Sequence, residues 1–284
     1  MIRETDSLSV RDLNRLCKLI YDQCGINLNA EKQVMLEGRL KRRIVELKLS
    51  SYHEYCEYLF DGHGHDAEEM VQLIDAVTTN KTDFFREKPH FDLLVSQVLP
   101  ELAARGKNRE LLIWSAGCST GEEPYTLAIV LTEYARAHAG FRFRILATDI
   151  STAVLAKAKL GVFTSEVVSP VPLDLRRKYF MQSRNRESNQ LRVVPELRDT
   201  IEFRRLNLME DFGMSELADA IFCRNVIIYF DRPTQEQLFR KFSRQLVDGG
   251  YMFVGHSENL HHMDVPLVPV APALYRKADG RNQN

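Results

Sequence analysis

The order of apolar and polar positions divides the chain into two textures. From residue 8 to about residue 78, apolar residues recur at helical intervals with short polar joints between them. Leu13, Leu16, Cys17 and Ile20 mark one helix, and Gly25 is its natural stop. Leu36, Leu40, Ile44 and Leu47 stripe a second helix, with Asn29 as its expected cap. Ser51 and Glu54 form a capping-box pattern ahead of Tyr55, Tyr58 and Leu59. The polar run Asp61-Gly-His-Gly-His-Asp66 reads as a loop, and Ala67–Val77 as a fourth helix. Nothing in this region reads as a strand.

From residue 110 the period changes. Apolar, β-branched runs recur at Leu111–Ile113, Phe143–Ala147, Ile201–Phe203, Ala220–Phe222 and Tyr251–Val254. Helical patterns at Tyr125–Arg136, Thr152–Leu160 and Thr234–Leu246 lie between several of them. Such alternation predicts the α/β class, a parallel sheet with helices on both faces. Residues 162–200 are polar and loop-rich and break the rhythm, as an inserted subdomain would. The expected organisation is a helical domain over 1–78, a junction and linker over 79–109, and the α/β domain over 110–284.

Composition narrows the class only a little. A chain of 284 residues, 44% hydrophobic and 27% charged with a formal net charge of −1, is ordinary for a globular protein. Near-neutral charge argues against non-specific nucleic-acid binding. The first residues are polar, unlike the apolar core of a signal peptide. No apolar run approaches the ~20 residues that span a bilayer, so membrane insertion is not expected. Cys17, Cys24, Cys56, Cys118 and Cys223 are odd in number and lack Cys-x-x-Cys spacing. They read as free thiols of a reducing cytoplasm, and no metal site is expected.

The chemistry concentrates at Ile113-Trp-Ser-Ala-Gly-Cys-Ser-Thr-Gly-Glu-Glu-Pro-Tyr125, a strand, a glycine turn and a helix in that order. A P-loop requires Gly-Lys-Ser/Thr, whereas Glu122 and Glu123 follow Gly121 here and would repel phosphate. A dinucleotide turn requires three glycines, and only Gly117 and Gly121 are present. A phosphate-free cationic cofactor suits the site better. S-adenosyl-L-methionine carries an amino group and a sulfonium, both attracted by carboxylates. Asp149, closing the second strand, is placed to bond ribose hydroxyls. The same two glutamates would also favour a helix amino terminus through its dipole.

Several motifs together are similar to the CheR family of chemotaxis-receptor glutamate methyltransferases. They are Ser119-Thr-Gly-Glu-Glu-Pro-Tyr125, Ala147-Thr-Asp149, Ile221-Phe-Cys-Arg-Asn-Val226, Ile228-Tyr-Phe230 and Gly255-His-Ser-Glu-Asn259. Thr78-Thr-Asn-Lys-Thr-Asp-Phe-Phe-Arg86 resembles the family's junction between its two domains. The resemblance covers almost the whole chain in motif order. It implies an all-α amino-terminal domain and a Rossmann-like methyltransferase domain with a small inserted β-subdomain. The implied activity is methyl esterification of receptor glutamates, leaving S-adenosyl-L-homocysteine. The implied partner is the cytoplasmic helical region of a methyl-accepting receptor. In some family members the inserted subdomain also grips a carboxyl-terminal receptor tether. Here Gln182–Gln190 has no glycine, where some relatives have a glycine-bearing loop.

Carried onto matching positions, the implied cofactor contacts are Asn80, Thr82 and Arg86 from the junction, then Glu122 and Asp149 after the first two strands. Asn207 and Leu208 follow the third strand; Arg224 and Asn225 follow the fourth. Glu122 and Glu123 are adjacent, and either could face the cofactor; Glu122 is taken for the contact. The chemistry sets the remaining roles. A glutamate with a pKa near ~4.3 is already ionised at neutral pH and needs no general base. Alignment of oxygen, methyl carbon and sulfur is the main requirement, and orientation alone can supply ~7–11 kcal/mol. Arg86 and Arg224 could orient the substrate carboxylate bidentately. Arg86 also suits an interdomain ion pair. Tyr229 could wall the methyl path or pack as a core aromatic. Cys118 and Cys223 read as packing residues, and His256 as a structural or pocket-lining histidine.

The second predicted helix carries Arg39, Arg42 and Arg43, mostly off its apolar stripe. That basic face could dock an acidic receptor helix, or simply pair with Glu37 and Glu46. Two other activities fit parts of the pattern: a cofactor-sensing adaptor module, and a methyltransferase acting on an amine or small molecule.

Overall fold

The computed structural model describes residues 6–28, 30–60, 67–105, 109–183 and 188–278. The Asp61–Asp66 segment, the cap expected at Asn29 and the middle of Gln182–Gln190 lie outside them. Four helices form the first layer: α1 (Val10–Cys24), α2 (Gln33–Glu46), α3 (Tyr52–Phe60) and α4 (Ala67–Val77). Ser9 caps α1 by accepting the Asp12 N–H at 3.1 Å. Gly25 ends it in the left-handed region, with φ of 74°. Ser51 Oγ accepts the Glu54 N–H at 3.1 Å, but the Glu54 carboxylate reaches Ser50 rather than closing the box on Ser51. The apolar faces, including Leu16, Ile20, Leu40, Ile44, Tyr55, Leu59 and Leu73, meet in one buried cluster.

Within this domain Arg43 Nε lies 3.0 and 2.9 Å from the two oxygens of Glu69, which is 2% exposed. Tyr55 donates its hydroxyl to the same carboxylate at 2.8 Å. Arg39 donates to Val77 O and, at 2.8 Å, to Thr79 Oγ1. Only Arg42 of the three arginines is largely exposed, paired with Glu46 at 2.9 Å. The basic face expected from spacing is therefore divided: two of its members fasten the domain internally.

Residues 79–109, expected as junction and linker, contain more helix than that description implies. α5 (Pro89–Leu93) runs through a π turn (Leu94–Val98) into α6 (Leu99–Arg105). Pro100 has no N–H to donate, and the wider turn just before it, closed by Leu99 N–H to Leu94 O, accommodates the proline without ending the helix.

The α/β domain follows as β1 (Glu110–Ala116), α7 (Glu122–Ala137), β2 (Arg142–Asp149) and α8 (Thr152–Leu160). An insert then supplies β3 (Val162–Thr164), α9 (Ser165–Val168), α10 (Leu173–Tyr179), β4 (Phe180–Gln182), β5 (Gln190–Val193) and α11 (Pro195–Arg198). The main chain resumes with β6 (Ile201–Arg205), β7 (Ala218–Cys223), α12 (Arg232–Gln245), β8 (Leu246–Val254), β9 (Leu267–Ala271) and β10 (Leu274–Lys277). The large sheet has the order β6-β2-β1-β7-β8-β10-β9 and is parallel except around β10. In register, Ile113 faces Ile145 on one side and Ala220 on the other. Both faces are covered: Ile113, Phe222 and Phe253 join one core, while Trp114, Ile221 and Phe242 join the other. The insert is the expected small sheet, β3-β5-β4, antiparallel. Phe84 of the junction packs edge-on to Phe163 and Phe180 of this insert, with centroids 5.0 and 5.6 Å away. Among the described residues, no helix is long and apolar enough to cross a membrane.

Candidate functional site

The chain runs from β1 to β2 and β6 on one side, then crosses to β7 on the other side of β1. Loops leaving β1 and β7 therefore diverge, and open α/β sheets bind ligands in the crevice so formed. The loop after β1 is drawn over the sheet end by two bonds, from the Gly117 and Cys118 N–H groups to Thr148 O, at 2.8 and 2.9 Å. Gly117 has φ of 84°, and a Cβ there would come within 2.4 Å of Val226 Cγ2. Only glycine lets the two loops approach this closely. Ser119 donates its N–H to Asp149 Oδ2 at 2.8 Å and its hydroxyl to Asn80 O at 2.9 Å. One serine thus joins the β1 loop, the end of β2 and the junction.

Asp149 also accepts the Ser151 N–H at 2.9 Å. Burial pushes its carboxyl up, while the backbone N–H bonds pull it back. The paired glutamates part company here. Glu122 accepts the Thr120 hydroxyl at 2.6 Å and does not reach the cavity. Glu123 lines the cavity, accepting Ser115 Oγ at 2.7 Å and Arg224 Nη1 at 3.1 Å. Burial pushes Glu123 up, with the Arg224 guanidinium opposing it.

Arg224, at the end of β7, is 7% exposed and almost spent on internal partners. Besides Glu123, it donates Nη2 to Glu87 Oε2 at 3.0 Å and to Arg86 O. Burial would raise Glu87, but the Arg224 bond and charge, with Asn225, hold it below the usual glutamate range. Next in sequence, Asn225 takes a left-handed φ of 60°. That turn is pinned by Glu258, whose carboxylate accepts the N–H groups of Asn225 (2.8 Å), Ile227 (2.9 Å) and Gly255 (2.6 Å). The Gly-His-Ser-Glu run therefore anchors the neighbouring loop.

The helical domain closes the opposite wall. Asn27 N–H bonds Tyr229 O at 2.8 Å, Tyr21 donates to Asp231 at 2.8 Å, and Asn207 Nδ2 reaches Gln23 O at 2.7 Å. A side chain at Gly25 would collide with Met209 and Phe230, at 2.5 and 3.0 Å. Together these elements enclose about 1000 Å³, including the open mouth. Asn80, Thr82, Arg86, Asp149, Asn207, Leu208, Arg224, Asn225 and Tyr229 all line this one cavity, with Glu123 in place of the expected Glu122. Arg39, Arg42 and Arg43 are not part of it. Glu87 and Glu258 were not among the residues expected from sequence. What they do becomes visible only when the loops they hold are side by side.

Charged groups in the lining are balanced: Lys81, Arg86 and Arg224 against Asp83, Glu123 and Asp149. Buried carboxylates occupy the amino-terminal turn of α7, where a phosphate would otherwise sit. This donor set, with carboxylates and no phosphate-binding turn, fits a cationic, phosphate-free nucleoside. The buried thiols Cys118 and Cys223 are pushed well up by burial and are no nucleophiles at neutral pH.

Comparison with known proteins agrees with this chemistry. The family model described as CheR methyltransferase, SAM binding domain, matches residues 80–270, and the CheR all-alpha domain model matches residues 11–78. The chemotaxis protein methyltransferase of Borreliella burgdorferi is 39% identical over 271 residues, covering 94% of either chain. The protein of that name from Salmonella typhimurium is 39% identical over 93% of this chain and 89% of its own. That from Escherichia coli K12 is 37% identical over 93% of this chain and 90% of its own. The chain belongs to the CheR methyltransferase family, and its cavity is that of an S-adenosylmethionine-dependent methyltransferase.

Proposed function

We propose that the protein esterifies glutamate side chains of chemotaxis receptors in the cytoplasm; its similarity to proteins named chemotaxis protein methyltransferase supports methyl transfer in a chemotactic setting. The observation that carries this reading is the contrast between the two arginines of one cavity. Arg224 is committed to Glu87 and Glu123. Arg86, half-buried, uses Nη1 on Lys81 O at 2.9 Å, out of the five N–H donors of a guanidinium. Arg86 is therefore the group that meets the incoming carboxylate, and Arg224 is a positioning residue. A grip through one arginine orients the nucleophile without the double neutralisation that would quench it.

When bound, S-adenosylmethionine would supply a methyl group on a cationic sulfur; Glu123 and Asp149 would hold its charged and hydroxyl groups, while Asn80 and Thr82 would close the junction side. Tyr229, carried by a loop tied to both domains, walls the path to the methyl group. The acceptor carboxylate arrives ionised, so no protein group has to take a proton. Receptor docking uses exposed Lys41 and Arg42 on α2.

The test is incubation with labelled S-adenosylmethionine and cytoplasmic receptor fragments. Label released as methanol by mild base identifies a carboxyl ester; base-stable label sinks the glutamate assignment. Charge reversal at Lys41 and Arg42 should cut receptor methylation and leave cofactor affinity unchanged. Undiminished methylation removes the docking assignment.

A further inference from the structure

Behind Arg224 lie two histidines, His90 and His256, that the methyl-transfer chemistry does not use. His90, in the first turn of α5, is 1% exposed, and both of its ring nitrogens lack a hydrogen-bond partner. Leaving two polar atoms of one buried ring unsatisfied is costly, and such groups call for a ligand. The ring is held between Phe253 of β8, with centroids 6.0 Å apart, and the exposed His256, at 4.8 Å. Glu87 stands one turn before it, with Oε2 3.4 Å from His90 Nδ1. One ligand atom each from Glu87, His90 and His256 lies within 4.8 Å of the others.

We infer that Glu87, His90 and His256 form a three-ligand site for a zinc ion, with a fourth position open to solvent. Imidazole and carboxylate donors suit zinc, and three protein ligands are the usual set where one position stays open. Zn–N bonds of 2.0–2.1 Å place tetrahedral ligand atoms roughly 3.3 Å apart. The exposed His256 side chain can swing to close the remaining distance. His90 is ready as a ligand: the ring is buried and neither nitrogen is engaged in a hydrogen bond. Two of the three ligands come from residues 87–90 and the third from the run after β8, so the ion would tie the junction to the catalytic sheet.

The site is coupled to the cofactor cavity. Glu87 Oε2, the oxygen facing His90, is also the one that accepts Arg224 Nη2. Zinc at this oxygen competes with Arg224, loosens the support of Glu123 and lowers affinity for the cofactor; reciprocally, cofactor lowers affinity for zinc.

Zinc titration of the full chain against a chromophoric chelator tests the site without reference to methyl transfer. One ion per chain is expected, with affinity falling roughly tenfold or more in His256→Ala. Cobalt substitution should give d–d bands without thiolate charge transfer, which separates this site from the five free cysteines. No zinc binding, a thiolate band, or unchanged affinity in His256→Ala overturns the assignment. Calorimetry with S-adenosylhomocysteine reads the coupling: affinity should fall several-fold in zinc for the wild type and stay constant for His256→Ala. Affinity indifferent to zinc in the wild type overturns the coupling.

Discussion

Each domain holds an arginine against glutamate, and the two arrangements differ in what they leave over. Arg43 grips the buried Glu69 carboxylate, which Tyr55 also satisfies, reaches the more exposed Glu46 at 3.2 Å, and keeps 21% of its own side chain in water. Arg224 keeps only 2% of its side chain in water, is shared between Glu87 and Glu123, and its Nε has no partner. A completed pair fastens α2 to α4 and asks for nothing more. An incomplete one, set where two loops diverge, leaves polar capacity beside a cavity. The same residue types thus serve as a fastener in one place and as a ligand-site wall in the other, and the difference lies in completeness rather than in composition.

The sharpest way to break this comparison is to remove each arginine. Arg224→Met strands two carboxylates, and stripping one partner from a buried pair costs ~3–5 kcal/mol. Calorimetric affinity for S-adenosylhomocysteine should fall about 100-fold or more, an effect of ~3 kcal/mol. Arg43→Ala should lower stability to urea by about 2–3 kcal/mol, less because water reaches Arg43, with cofactor affinity unchanged. Should Arg43→Ala weaken the cofactor as Arg224→Met does, the two pairs are not separable.

Smaller effects sharpen it. Glu123→Gln should weaken cofactor binding about tenfold, as expected for loss of a charge-assisted contact, while Glu122→Gln leaves it near wild type. Equal losses would return the contact to Glu122. The smallest effect is an order of events on acidification. Burial raises Glu123, so the native chain binds this proton above the ordinary glutamate range, and cofactor affinity weakens as pH falls through that raised value. In the helical domain Glu37 is pulled down despite burial, by bonds from Gln33, the Leu8 N–H and Ser7. There the unfolded chain binds the proton first, and stability is lost only as pH falls through the lowered folded value. Cofactor binding should therefore fail at higher pH than helical structure, a sequence that calorimetry and far-ultraviolet circular dichroism can follow on one sample.

Much of this was legible in the residues. The change of period near residue 110 and the insert after α8 follow from apolar spacing, whereas most residues expected around the cavity came from the family resemblance of the motifs. Three features were not legible, for physical reasons. Pro100 argues against a helix over 89–105, and the chain keeps one by widening the turn before it. Pro269 similarly disguises β9, which tolerates proline because it is the edge strand of the sheet. Adjacent glutamates cannot be ranked by spacing alone; the rotation of α7 puts Glu123 in the wall and Glu122 against Thr120. Arg39 and Arg43 show the converse limit. Their spacing predicts a common surface, but their partners, Val77 and Glu69, come from a helix whose packing no local pattern reveals.

The anchor of Asn225 by Glu258 also bears on how the protein is made. The two residues are 33 positions apart, and the carboxylate is synthesised after the loop it pins. A nascent chain released before Glu258 would carry every residue of the cavity lining and still lack the tie that fixes their positions. On the ribosome, then, ligand protection against protease should begin only once Glu258 has cleared the exit tunnel, so that binding competence arrives late and nearly at once.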